Sequence, residues 1–140
     1  MKSVYLLLTS RKNELEHNLF NLLQKVTVNL AVFLGKVLPT LSNNWWGQNV
    51  LQCLQDGQRR RIEQQGIDTL AKLDLAMLLH VFDENWFDIS RERDLKPVER
   101  HFVKEMKKIR NRCAHATAQG IPPNDEYREL DTLLRFAQVI

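Results

Sequence analysis

Apolar residues recur every three or four positions along nearly the whole chain, and no run alternates apolar and polar with a period of two. That pattern is the mark of amphipathic helices, not of strands. Leu8, Leu15, Leu19, Leu22, Leu23, Val26, Leu30, Phe33, Leu34 and Val37 predict one long helix from Tyr5 to Leu38, or two with a break near Thr9 to Asn13. Pro39 is its expected stop. Ser42 or Asn43 then caps a short helix through Leu54, which ends at Asp56 and Gly57. The polar stretch QRRRIEQQGIDTL, residues 58–70, reads as a loop or a frayed helix start.

The next segment, KLDLAMLLHVFDENW, predicts the most buried helix of the fold, closed by Asn85 and Trp86. DISRERDLKP reads as a connector. Pro97 suits the first position of a helix that runs VERHFVKEMKKIRNRCAH, with an apolar stripe of Val98, Phe102, Met106 (or Val103), Ile109 and Cys113. GIPPND interrupts the chain, and EYRELDTLLRFAQVI forms a last helix capped by Asn124 or Asp125. The expectation is an all-α fold, a compact antiparallel bundle of about five helices with short connections. A chain of 140 residues is one domain's worth. We expect a single helical domain over residues 1–140. Its apolar end, LLRFAQVI, leaves open that it is the N-terminal domain of a longer protein.

Composition changes this picture little. The apolar share of 44% is enough for a real core without staples. A net charge of +3 admits an anionic partner without demanding one. Cys53 and Cys113 lie far apart in helical patterns and read as reduced apolar fillers, not as a disulfide. The N-terminus lacks the length and cleavage site of a signal peptide, and polar residues interrupt every apolar run, so no membrane span is expected. These features predict a cytoplasmic protein with no membrane partner.

Candidate chemistry narrows quickly. Cys-x-x-Cys, His-x-x-x-His and Glu-x-x-His spacings are missing, so no metal site is expected. No glycine cluster precedes a helix, so no phosphate loop is expected either, and no cofactor is implied. What remains is R-N-x-x-x-H: Arg110, Asn111 and His115. Asn111 and His115, four apart, differ by about 40° around a helix axis and share a face. Arg110 and His115, five apart, differ by about 140° and converge poorly within one chain. Two copies of this helix end meeting across a twofold axis would bring the Arg of either chain beside the His of the other.

That trio suits RNA cleavage. A neutral His115 takes the 2′-hydroxyl proton as general base. The freed oxygen attacks the adjacent phosphorus, and the planar fork of Arg110 stabilises charge on the phosphoryl oxygens. Asn111 holds the imidazole or a phosphate oxygen. DNA lacks the 2′-hydroxyl, so the chemistry itself selects RNA. On the plainer reading, Arg110 and Arg112 are solvated, and His115 complements the helix C-terminal dipole.

LDLAMLLHVFDENWFDIS, followed some twenty residues later by KKIRNRCAH, resembles the HEPN superfamily (higher eukaryotes and prokaryotes nucleotide-binding). NWWGQNVL is similar to the branch typified by the C-terminal domain of the yeast nuclear endonuclease that surveys mRNA. The resemblance is good from about Trp45 to Leu134. It implies a helical bundle that dimerises, and a metal-independent ribonuclease whose R-x(4–6)-H motif lies at the dimer interface. Carried over, Arg110 and His115 match that motif and Asn111 its common second letter. The resemblance also implies a setting in phage defence or a toxin-type system. The partners it brings are RNA, fused helicase or nuclease domains, or a nucleotidyltransferase antitoxin. The alternative is a non-catalytic dimerisation or nucleic-acid-docking module of a larger defence or RNA-processing protein.

Arg59, Arg60 and Arg61, with Lys108 and Arg112, are candidate nucleic-acid contacts, although a short basic run is more often simply solvated. Lys104, Lys107 and Lys108 make the motif helix basic. Trp45 and Trp46 could stack bases, but packing is favoured, with one Trp in the core and the other half-exposed. His80 is expected to be buried and hydrogen-bonded. His101 lies about 21 Å along the helix from His115, too far for a shared site within one chain.

Overall fold

The computed structural model describes the backbone of residues 12–114 and 123–140, and the side chains of residues 20–111 and 131–140. Six α-helices stand among the described residues: α1 (Lys12–Leu41), α2 (Asp56–Gln65), α3 (Leu75–Glu84), α4 (Trp86–Arg93), α5 (Arg100–Ala114) and α6 (Pro123–Val139). No strand occurs among the described residues. The all-α expectation is met, with one helix more than the pattern suggested.

Four of these helices, α1, α3, α5 and α6, supply most of the core. Leu30, Leu34, Val37 and Leu38 line one face of α1, and α3 contributes Leu78, Leu79, Val81 and Phe82. Val103, Met106 and Ile109 come from α5, and Leu133 and Phe136 from α6. α1 packs on α3, α4 and α6, and α5 packs on both α3 and α6. Phe82 sits at the hub. Its ring centroid lies 5.5 Å from Phe33, 5.6 Å from Trp86 and 6.1 Å from Phe136.

Several boundaries differ from the expected ones. α1 runs two residues past Pro39, to Leu41. Pro39 has no N–H to give to the helix, and the helix ends two residues beyond it. Thr40 there donates its hydroxyl to the Val37 carbonyl at 2.6 Å. The expected helix ending at Leu54 is instead a π turn, Trp46–Val50, followed by a 3-10 turn, Leu51–Cys53.

The arginine run is helical, not a loop. The Gln58 side chain accepts from the Gln55 backbone N–H at 3.1 Å and starts α2. Gly66, at φ 62°, closes it, with Ile67 N–H reaching the Ile62 carbonyl at 3.0 Å. The expected connector after Asn85 is mostly helix as well. α4 continues to Arg93, and Asp94 at φ 52° ends it. Asp74 caps α3 by accepting from Met77 N–H at 2.9 Å.

The stripe on α5 is shifted. Val98 is 65% exposed and lies in the preceding 3-10 turn Pro97–Glu99, and Phe102 is half-buried. Val103 takes the buried place, because the turn changes the phase at which the α-helix begins.

One hydropathy expectation is corrected. Phe20–Leu41 is long and apolar enough to cross a membrane, with a mean hydropathy of 1.3. Leu23, Val26, Leu30, Phe33, Leu34, Val37 and Leu38 of this stretch are buried in the core, where α1 packs against α3, α4 and α6, while Phe20, Val28 and Val32 are exposed. Asn85 closes α3 as expected and is buried. Its amide donates to the Val81 carbonyl at 2.7 Å and the Asn49 carbonyl at 2.8 Å, and its carbonyl oxygen accepts from Asn49 Nδ2 at 2.8 Å. The junction of α3 and α4 is thereby fastened to the π turn.

Candidate functional site

α5 carries the motif because its buried stripe fixes its rotation. With Val103, Met106 and Ile109 in the core, Lys107, Arg110 and Asn111 are turned toward the start of α2 and the outer side of α3. There they line a cavity of about 290 Å³ with Gln55, Gln58, Ala76, Leu79 and His80. Arg110 is half-buried and donates from Nη1 to Asn111 Oδ1 at 3.3 Å. Two of the three motif residues therefore face one cavity together. His115 lies outside the described residues, as do the side chains of Arg112 and Cys113.

Lys107 is held rather than loose. Its Nζ lies 3.0 Å from Asp83 Oδ2, and Arg100 Nε lies 3.1 Å from Asp83 Oδ1. Burial pushes the Asp83 carboxyl up, but the hydrogen bonds and charges of Lys107 and Arg100 more than offset it. The group titrates below the ordinary carboxylate range and stays ionised at neutral pH. Asp83 thus ties the outer side of α3 to α5 one turn before Asn111. Arg110 forms no ion pair among the described residues, so its charge is available to the cavity.

His80 adds a group that the sequence reading did not place here. It was expected to be buried, but its side chain is 31% exposed and lines the cavity. The expected hydrogen bond is present: Nε2 lies 2.7 Å from the Cys53 carbonyl oxygen. A carbonyl only accepts, so Nε2 carries the hydrogen. A lone imidazole interrupting the apolar run LLHVF was its one sequence signal. Lys107 was more legible, because positions 107, 110 and 111 share a helix face by spacing. Nothing in the sequence marked Gln55 or Gln58. Beside the cavity, the Cys53 thiol is pushed up, chiefly by burial.

The remaining candidates divide. Arg59 is paired with Asp56, and Arg61 lies 3.7 Å from Asp74, so two of the three arginines on α2 have acidic neighbours. Arg60 is exposed with no ion pair among the described residues. Lys108 points to solvent beside Glu105, at 3.5 Å. Trp45 and Trp46 meet edge to face at 5.8 Å, and both are half-buried against the core. The division of one core and one half-exposed Trp is not found, because the π turn rolls both rings onto the fold. His101 is 74% exposed beside Glu105 and does not line the cavity.

A family model described as Swt1-like HEPN matches residues 19–140. No curated protein and no solved structure gives a significant match.

Proposed function

We propose that this chain, which belongs to the Swt1-like HEPN family, is a metal-independent endoribonuclease that works as a homodimer. Family membership supports a nucleic-acid-related module of nuclease type. The observation that carries the finer reading is the shared cavity: Arg110 and Asn111 face it side by side, with Lys107 one turn earlier. A half-buried guanidinium with no carboxylate partner among the described residues suits a phosphodiester, whose charge grows as the phosphorus is attacked.

In this reading Arg110 stabilises the phosphoryl oxygens. Asn111, whose Oδ1 accepts from Arg110, offers its amide hydrogens to substrate. His115 takes the 2′-hydroxyl proton, on the strength of the sequence motif. The twofold partner brings a second copy of the motif to the interface, which answers the poor convergence of Arg110 and His115 within one helix. Arg60 and Lys108, exposed and basic, are the side chains we assign to the flanking RNA backbone, with Arg112 beside the motif. The setting is a defence or toxin-type system in the cytoplasm.

The test incubates wild-type and His115→Ala protein with a structured RNA in excess EDTA, reading the product termini. Cleavage by wild type alone, leaving 2′,3′-cyclic phosphate ends, supports the reading. Equal cleavage by both removes His115 from the chemistry. No cleavage by either, with dimers still present by ultracentrifugation, favours a non-catalytic docking module.

A further inference from the structure

Cleavage by a 2′-hydroxyl needs two proton transfers, and the motif supplies a group for only one. The base removes the proton of the attacking oxygen. The departing 5′-oxygen, a poor leaving group as an alkoxide, must gain one. Arg110 does not serve, because a guanidinium stays protonated in proteins. Lys107 is held by Asp83 at 3.0 Å.

His80 has the features such a donor needs. It lines the same cavity as Arg110 and Asn111, 30 residues earlier in the chain and on a different helix. Its ring is oriented by the bond from Nε2–H to the Cys53 carbonyl at 2.7 Å. That bond persists in both charge states, since Nε2 carries hydrogen in each. Nδ1 makes no hydrogen bond among the described residues, so it is the nitrogen left to exchange a proton. Among the described residues, the charged groups that share the cavity or flank the ring are Lys107, Arg110 and Glu84, whose Oε1 lies 4.0 Å from Nε2 and balances the imidazolium charge.

We propose that His80 is the general acid of this site, an assignment that rests on the endoribonuclease reading. The 2′-hydroxyl proton passes to the base, the O2′–P bond forms, and the P–O5′ bond breaks. The 5′-oxygen takes the Nδ1 proton of the His80 imidazolium. The products are a 2′,3′-cyclic phosphate and a 5′-hydroxyl end, and neutral His80 regains its proton from water.

The test compares wild type and His80→Gln on two RNAs that differ at one atom. One carries the natural 5′-oxygen at the cleaved bond and the other a 5′-bridging sulfur, which leaves as a thiolate without needing an acid. His80→Gln should cost roughly 10²–10⁴-fold on the oxygen substrate and less than about threefold on the sulfur substrate. Equal losses on both, or no loss on the oxygen substrate, overturn the assignment. If the glutamine variant unfolds at the assay temperature, His80→Gly with added imidazole decides: restored cleavage of the oxygen substrate supports His80 as the donor, and none overturns it. Wild type that cleaves neither RNA overturns the endoribonuclease reading itself, and the acid with it.

Discussion

Lys107 and Asp83 are joined at 3.0 Å across the packing of α3 on α5, one helical turn before Asn111. Arg100 holds the other oxygen of the same carboxylate. The arrangement fixes the rotation of the motif helix and keeps one of the cavity's two cations in place. Asp83→Asn should therefore cost about 1.5–3 kcal/mol, the range for hydrogen bonds to a charged group. The sign with pH follows from the lowered folded-state pKa. Asp83 contributes its full stabilisation above its unfolded value near 4 and loses it as pH falls through the lower folded value. Urea unfolding at a series of pH values should show wild type and Asp83→Asn well separated at neutrality and converging in acid.

Arg110→Lys keeps a charge but loses the planar fork. A cleavage loss of roughly 10²–10³-fold is expected, as when an oxyanion donor is removed. Among the described residues Arg110 has only a 3.3 Å bond to its neighbour Asn111, so the midpoint of chemical unfolding should hardly move. Single-turnover cleavage beside a denaturation curve checks both halves.

Asn85→Leu should be among the costliest polar changes. It removes two amide donations and one acceptance, and leaves the Asn49 amide without its partner. Asn49 Oδ1 is already buried without a hydrogen bond among the described residues. We expect a loss of about 2–4 kcal/mol, read by chemical denaturation. A leucine variant as stable as wild type would show that the network serves position, not stability.

Phe82→Ala should cost about 3–5 kcal/mol. The ring is fully buried and touches aromatic side chains of α1, α4 and α6 at once. Calorimetry should show a lower unfolding temperature with a single transition retained, because the three neighbours belong to one core.

Helical periodicity by itself determined the fold class, the burial of α3 and the place of Arg110 and Asn111 in the last turns of an amphipathic helix. Those features depend on neighbours three and four residues away, which the sequence shows directly. Side-chain order along the chain could not decide the phase of α5. A 3-10 turn at Pro97–Glu99 set Val98 outward and Val103 inward, and only packing against α3 and α6 made that choice. The same holds for Asn85, whose partner Asn49 lies 36 residues away. It holds for His80, which local pattern assigned to the core and which the docking of α3 on α5 set into the cavity of Arg110. A helix's spacing says which residues share a face, but the partners that face will meet come from distant segments, and only the folded chain brings them together.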